Sequence, residues 1–282
     1  MTATLSLALT ASAFLINQMG ESDMDRRPLV TWYDEPAATW DEALPIGGGR
    51  LGAMVFGGTE SERIQFNEDT LWTGHPRAYH NEGAVEHLAE IRRLLAEGKQ
   101  GDAENLAWRE FMSVPPHQMA YQPFGDIILT FPEHAEVEAY RRELDLRQAV
   151  ATVRYHVGGV TYTRRALASY PDRVIALHVE ADSPGAVSFT IALTSPHAET
   201  RVFADAAGDL VLRGRVQEDG LRFEARLRVD AQGGELTAEE GAIAVAGADS
   251  ATLYLTAATS YIDYTEISGD PSAIALADME QA

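Results

Sequence analysis

The chain has 282 residues, 45% of them hydrophobic and 23% charged, with a formal net charge of −21 and no cysteine. Acidity on this scale excludes the basic footprint that nucleic acids and anionic membranes require. The missing thiols exclude a disulfide scaffold, a cysteine nucleophile and any thiolate metal site, and the length fits one large domain, since all-β sandwiches run to roughly 250 residues as a unit.

The first candidate element is Leu5–Ile16, an apolar run about as long as a signal-peptide core and too short to span a bilayer. No Lys or Arg precedes it, and no clear small-x-small cleavage site follows. A disordered extension over residues 1–26 and a degenerate export signal both fit it. Met24 opens a second candidate start, and the compartment, cytoplasmic or exported, stays open.

Ala43–Pro76 is the densest stretch of signal. Seven glycines (47, 48, 49, 52, 57, 58 and 74) surround two apolar runs and mark tight turns at strand ends. Leu51–Phe56 reads as a short buried strand and Arg63–Phe66 as a second, joined through Gly57 and Gly58. Asn67–Pro76 then reads as a polar loop presenting Asn67, Glu68, Asp69, Trp72 and His75.

Asn81–Met112 changes to helical spacing, with Ala84, Leu88, Ile91 and Leu95 on one face. Gly98 and Gly101 divide it into two helices, the second near Ala103–Met112, and Pro115-Pro116 closes the pair. From Ile127 the period becomes two. Val187, Phe189, Ile191 and Leu193 alternate with Ser188, Thr190 and Thr194; Ala151, Val153, Tyr155 and Val157 alternate with Thr152, Arg154 and His156. Leu221, Phe223, Ala225, Leu227 and Val229 alternate with Arg222, Glu224, Arg226, Arg228 and Asp230, which predicts one dry and one wet face. Further strands are expected at Ile127–Phe131, Val160–Ala168, Val174–Val179, Leu210–Val216, Ala242–Val245 and Ala251–Thr256. Ser268–Pro271 reads as a turn and Ala273–Ala282 as the start of a helix. The pattern is that of a mainly β protein, a large antiparallel sandwich with a short helical insertion near residues 83–112.

The chemistry-bearing residues divide into functional and bland readings. Glu68 and Asp69 are sequence neighbours, and neighbours in extended backbone point to opposite sides, so they do not form a facing glycosidase pair. Trp72 would either stack on the apolar face of a pyranose or be covered at a domain junction, and either reading leaves it exposed in this chain. His75, His80, Glu82 and His87 match no metal-ligand spacing, and Ser113, Ser169 and Ser195 lack a nucleophile-elbow context. Gly47–Arg50 imitates a phosphate loop, but no Gly-Lys-Ser/Thr follows and a strand stands where the receiving helix should be. Tyr121–Asp126 and Tyr261–Tyr264 place aromatics at strand ends.

Four segments together, Trp40–Pro76, Tyr121–Asp126 (YQPFGD), Tyr140–Asp145 (YRRELD) and Ala257–Pro271 (AATSYIDYTEISGDP), give the chain a family resemblance. It resembles the amino-terminal domain of the family 95 glycoside hydrolases, the inverting α-L-fucosidases, over nearly everything from about Pro28 onward. Where the family usually reads Gly-Asn-Gly, this chain has Gly47-Gly48-Gly49. Asn tolerates left-handed backbone almost as glycine does, so the turn is expected to survive the difference. The resemblance implies a β-sandwich domain over residues 27–262, with 263–282 beginning the linker to an (α/α)6 barrel that holds the catalytic acid and the water-activating residues. It implies no cofactor, no metal and no catalytic residue in this chain. Asn67, Glu68, Asp69, Trp72 and His75 are then substrate-binding or barrel-interface residues. The implied partners are a fucosylated oligosaccharide and the barrel, in cis or in trans. A carbohydrate-binding module and a purely structural module are the alternatives.

Overall fold

A computed structural model of the chain describes residues 29–239 and 241–282. The expected amino-terminal extension, residues 1–26, lies outside them. Strands β1 (Val30–Tyr33), β2 (Leu44–Gly47), β3 (Leu51–Val55) and β4 (Ser61–Glu68) come first, with a 3-10 turn at Trp40–Glu42. Helices α1 (Ala84–Ala96) and α2 (Gln100–Glu110) follow, packed on each other. Then come β5 (Gly125–Thr130), β6 (Glu138–Asp145), β7 (Val150–Val157), β8 (Val160–Ser169), β9 (Val174–Ala181) and β10 (Val187–Thr194). The chain continues through β11 (Arg201–Ala204), β12 (Leu210–Arg215), β13 (Arg222–Gln232), β14 (Glu235–Glu239), β15 (Ala242–Ala248) and β16 (Ser250–Thr259), and closes with helix α3 (Pro271–Gln281).

Among the described residues these strands form two sheets. One has nine strands in the order β1-β6-β7-β8-β9-β16-β13-β12-β11; the other has seven, β14-β15-β10-β5-β4-β3-β2. Every pairing between them is antiparallel. The period-two patterns place the core: β10 buries Val187, Phe189, Ile191 and Leu193, and β13 buries Phe223, Ala225 and Leu227. Inward-facing rings link the two sheets, with Phe124 4.9 Å from Phe223 and 5.2 Å from Phe66. Among the described residues no helix is long and apolar enough to cross a membrane.

Three expectations change. Asn67 and Glu68 do not open a loop; they end β4, whose inward row Glu62, Ile64, Phe66 and Glu68 is fully buried. On β13 the predicted wet face is partly dry, because α3 folds back over β13 and β16. Glu224 and Arg226 are buried there; Arg226 Nε donates to Glu224 at 2.8 Å, and Ser272 Oγ of α3 donates to the same carboxylate. In the glycine run the left-handed residue is Gly49 (φ 91°), not Gly48. Position 48 is tight for a different reason: a Cβ there would stand 3.0 Å from the Tyr170 backbone nitrogen, so a larger residue needs that backbone to give slightly.

The α3 helix is well specified. The Asp270 side chain accepts from the Ser272 and Ala273 amides, Pro271 occupies the first turn, and Ala275 and Met279 face the sheet. Thr256 Oγ1 of β16 donates to Ala275 O at 2.8 Å, which fixes the helix against the outer face.

Candidate functional site

The end of β4 and the loop after it sit at one end of the sandwich. Leu71, fully buried, anchors this loop. Strand-like pairing holds it in place: Gln122 N donates to Leu71 O, Thr73 N donates to Ala120 O, both at 2.9 Å, and Trp72 bridges to Tyr121. Burying Leu71 turns its neighbour Trp72 outward. The Trp72 ring lies 5.2 Å from that of Tyr121, and its indole Nε1 donates to Asp69 O at 2.9 Å. It remains 39% exposed, as the sequence led us to expect.

Two cavities meet along this loop. One, of about 330 Å³, is walled by Trp72, His75, Met119, Leu221, Tyr261 and Tyr264. The other, of about 720 Å³, is walled by Arg50, Glu68, Tyr170, Arg173 and Thr259. Asp69, Thr70 and Tyr261 line both, so the two are halves of one cleft, the first apolar and aromatic, the second charged.

The charged half is built from residues remote in sequence. Arg50 Nε donates to Glu68 Oε1 at 3.1 Å and Arg50 Nη1 to Asp278 Oδ2 at 3.3 Å, while Arg173 Nη1 reaches the other oxygen of Asp278 at 3.2 Å. Glu68 Oε2 accepts from Thr70 N at 2.9 Å and from Thr70 Oγ1 at 2.7 Å, and the Thr70 and Thr259 hydroxyls touch. Burial pushes the Glu68 carboxyl above its ordinary value of 4.5, against the opposing pull of Thr70 and Arg50. Tyr121 is likewise pushed up, by burial and then by the charges of Glu68 and Asp69. Asp263, on the aromatic side, is held low by hydrogen bonds from Thr265 N and Oγ1.

Of the residues singled out in the sequence, Asp69, Trp72 and His75 line the aromatic half, and Glu68 and Asp69 line the charged half. Asn67 lines neither; its Oδ1 accepts from the Glu68 amide at 3.0 Å. Glu68 and Asp69 do face different ways, one buried and one exposed. Among the described residues the Asp69 carboxylate has no hydrogen-bond or ionic partner, and no three His, Cys, Asp or Glu side chains gather as metal ligands. His87 instead approaches Glu110 at 4.0 Å, joining α1 to α2.

Sequence reading missed Arg50, Arg173 and Asp278. One signal was present: Ala257–Ser260 is a run of four small residues where the alternation of β16 stops, and all four are buried. Continuous burial on both faces of a strand requires a second cover, which here is α3, the carrier of Asp278.

Residues 31–264 match the model of the glycosyl hydrolase family 65 N-terminal domain. The chain belongs to that family. It is 40% identical over 211 residues to a protein of Arabidopsis thaliana named alpha-L-fucosidase 2, covering 73% of this chain and 24% of that one. A probable alpha-fucosidase A of Aspergillus niger is 29% identical over 162 residues, 54% of this chain and 20% of its own. A solved structure described as a kojibiose phosphorylase from the human microbiome covers 90% of this chain and 36% of its own, with 12% identity and a TM-score of 0.45. The chain is therefore a glycoside hydrolase amino-terminal domain with relatives named as α-fucosidases, as the resemblance implied. It matches about a quarter or less of the length of those curated relatives.

Proposed function

We propose that the chain is the sandwich domain of a family 95 α-L-fucosidase, an inverting hydrolase of terminal α-L-fucosyl residues on oligosaccharides, and that it supports catalysis without performing it. In this reading residues 27–262 are the domain proper. Residues 263–282 lead toward an (α/α)6 barrel, in cis or in trans, and Asn67, Glu68, Asp69, Trp72 and His75 meet that barrel or the substrate.

The state of Glu68 carries the non-catalytic assignment. Inversion requires a carboxylic acid free to protonate the leaving oxygen and a carboxylate facing it across about 6.5–9.5 Å. Glu68 has the raised carboxyl that a general acid wants, but Arg50 occupies one oxygen and Thr70 the other. Asp69 lies beside it in sequence and on the opposite side of the backbone, and Asp263 is tied to Thr265. Among the described carboxylates that line the cleft, Glu68 and Asp263 are engaged in hydrogen bonds, which leaves Asp69 without a second free carboxylate to work with.

The test is release of L-fucose from 2′-fucosyllactose by the purified, folded chain. No release above background is expected, and turnover by the chain alone overturns the supporting role.

A further inference from the structure

The outer face of the nine-stranded sheet is covered by α3 over β13 and β16, whereas over β6, β7 and β8 its outward side chains stay exposed or half-buried. We propose that this open face binds a neutral, extended glycan chain of the β-1,4-linked type, laid across the strands from Trp32 to Arg165. Such binding needs neither the cleft beside Trp72 nor a barrel.

The antiparallel register aligns the outward side chains in rows that cross the strands. Trp32, Glu143, Thr152 and Arg165 are successive cross-strand partners, and so are Arg141, Arg154, Thr163 and Glu180 two residues along. Thr161 begins a third row, and its amide donates to Asp182 Oδ1 at 2.9 Å. Side chains from all three rows line a cavity of about 570 Å³, within the roughly 300–1,000 Å³ range of small-molecule sites. Neighbouring strands lie about 4.8 Å apart, close to the length of one pyranose unit in an extended chain. A glycan crossing the strands therefore sets one sugar over each of them, and a coiled or very short one does not.

The groups along these rows suit that ligand. Trp32, 54% exposed, ends the first row at the sheet edge, with the Arg141 guanidinium 4.7 Å from the centre of its ring. Held on one side by this cation–π contact, the indole offers flat apolar surface to the C–H face of a sugar. Thr152, Thr161 and Thr163 carry hydroxyls that, like a sugar's, both donate and accept. Arg154 stands directly opposite Arg141, a like-charged pairing that costs stability, and among the described residues its guanidinium has no hydrogen-bond or ionic partner. Its N–H donors are left for ligand oxygens. Charge selects a neutral chain. Arg141 Nε donates to Glu143 at 2.7 Å and Arg165 Nη1 to Glu180 at 2.6 Å, so those cations are already matched. A polyanion would meet Glu143, Glu180 and Asp182 in a protein of net charge −21.

Titration of the full chain with cellohexaose, by calorimetry and by ligand-observed NMR, tests the proposal. The expected result is saturable binding with a dissociation constant of about 1 mM, weakened about tenfold by Trp32→Ala and by Arg154→Ala. Arg154→Ala removes an exposed, unpartnered side chain, so it reports on the face even where Trp32→Ala loosens the edge strand; circular dichroism monitors folding of both. Cellobiose is too short to run from Trp32 to Arg165, a span of about 14 Å, and should bind about tenfold more weakly. Maltohexaose, whose chain coils, and hexagalacturonate, whose charge is repelled, should be weaker by a similar factor. The proposal is overturned by absence of saturable cellohexaose binding, by binding that neither substitution weakens, or by equal binding of cellobiose, maltohexaose or hexagalacturonate. Binding that Trp72→Ala abolishes and Trp32→Ala leaves intact would put the glycan in the cleft and overturns it as well.

Discussion

Glu62 and Glu68 stand on the same strand, on the same inward face, six residues apart, and both are about 1% exposed. Their surroundings differ in one respect that decides what each does. Glu62 is sealed between the sheets. It meets Arg164 of β8 at 3.3 Å and accepts from Gly57 N at 2.8 Å, and Arg164 is itself 1% exposed, laid over the rings of Phe131 and Tyr155. Glu68 meets an arginine that is 26% exposed and borders a cleft. One pair holds the sheets in register and the other floors a site. Burial of a glutamate is therefore a poor guide to its role; the exposure of its cation is the better one.

The sealed pair gives the largest expected effect. Glu62→Gln leaves Arg164 as an uncompensated buried charge, and Arg164 Nε and Nη1 already lack hydrogen-bond partners among the described residues. Removing one partner of such a pair costs about 3–5 kcal/mol. Urea unfolding should show that loss, and replacing both partners (Glu62→Leu with Arg164→Met) should restore most of it. A single-variant loss below about 1 kcal/mol would show that water enters between the sheets and that the comparison with Glu68 is false.

The same two glutamates mark where sequence legibility stopped. Strands such as β7, β10 and β13 were readable because their inward rows are apolar and period two is then unambiguous. On β4 the inward row begins and ends in glutamate. A pattern rule reads Glu as wet, so the strand was predicted as Arg63–Phe66 although it runs from Ser61 to Glu68. The edge strand β14 is exposed at every residue and shows no dry face, while β1 leaves Trp32 and Tyr33 exposed, so neither carried a pattern to find. The site divides the same way. Asp69, Trp72 and His75 were visible because they are close in sequence. Arg50, Arg173, Thr259 and Asp278 come from four separate chain segments and meet only when the sandwich closes and α3 folds back.

A smaller effect is read by pH at Glu68, whose carboxyl burial raises as it does that of Glu62. Burial raises the Glu68 carboxyl above 4.5, so its ionisation costs more in the folded chain than in the unfolded one. A raised acid gives stability that is fully present below the unfolded value and is lost as pH rises through the folded one. Glu68→Gln removes that dependence. Its melting temperature relative to the parent chain should therefore improve as pH climbs from about 4 toward neutrality. A difference that stays flat, or worsens with rising pH, would mean that Arg50 and Thr70 outweigh burial and hold the carboxyl low.

The smallest effect belongs to Arg173→Ala. Its partner Asp278 is buried, which by analogy with Glu62 would forecast a large loss. The analogy fails because Asp278 has a second cation, Arg50 at 3.3 Å, and because the Arg173 side chain is 56% exposed, where solvent already screens the pair. The substitution should cost less than about 1 kcal/mol at low salt. That cost should fade as ionic strength rises and the Debye length contracts to about 8 Å near 0.15 M. The charge that matters for folding is then Arg50, and Arg173 is left free to serve the cleft. A loss of several kcal/mol that salt does not reduce would instead make Arg173 part of the clamp on α3.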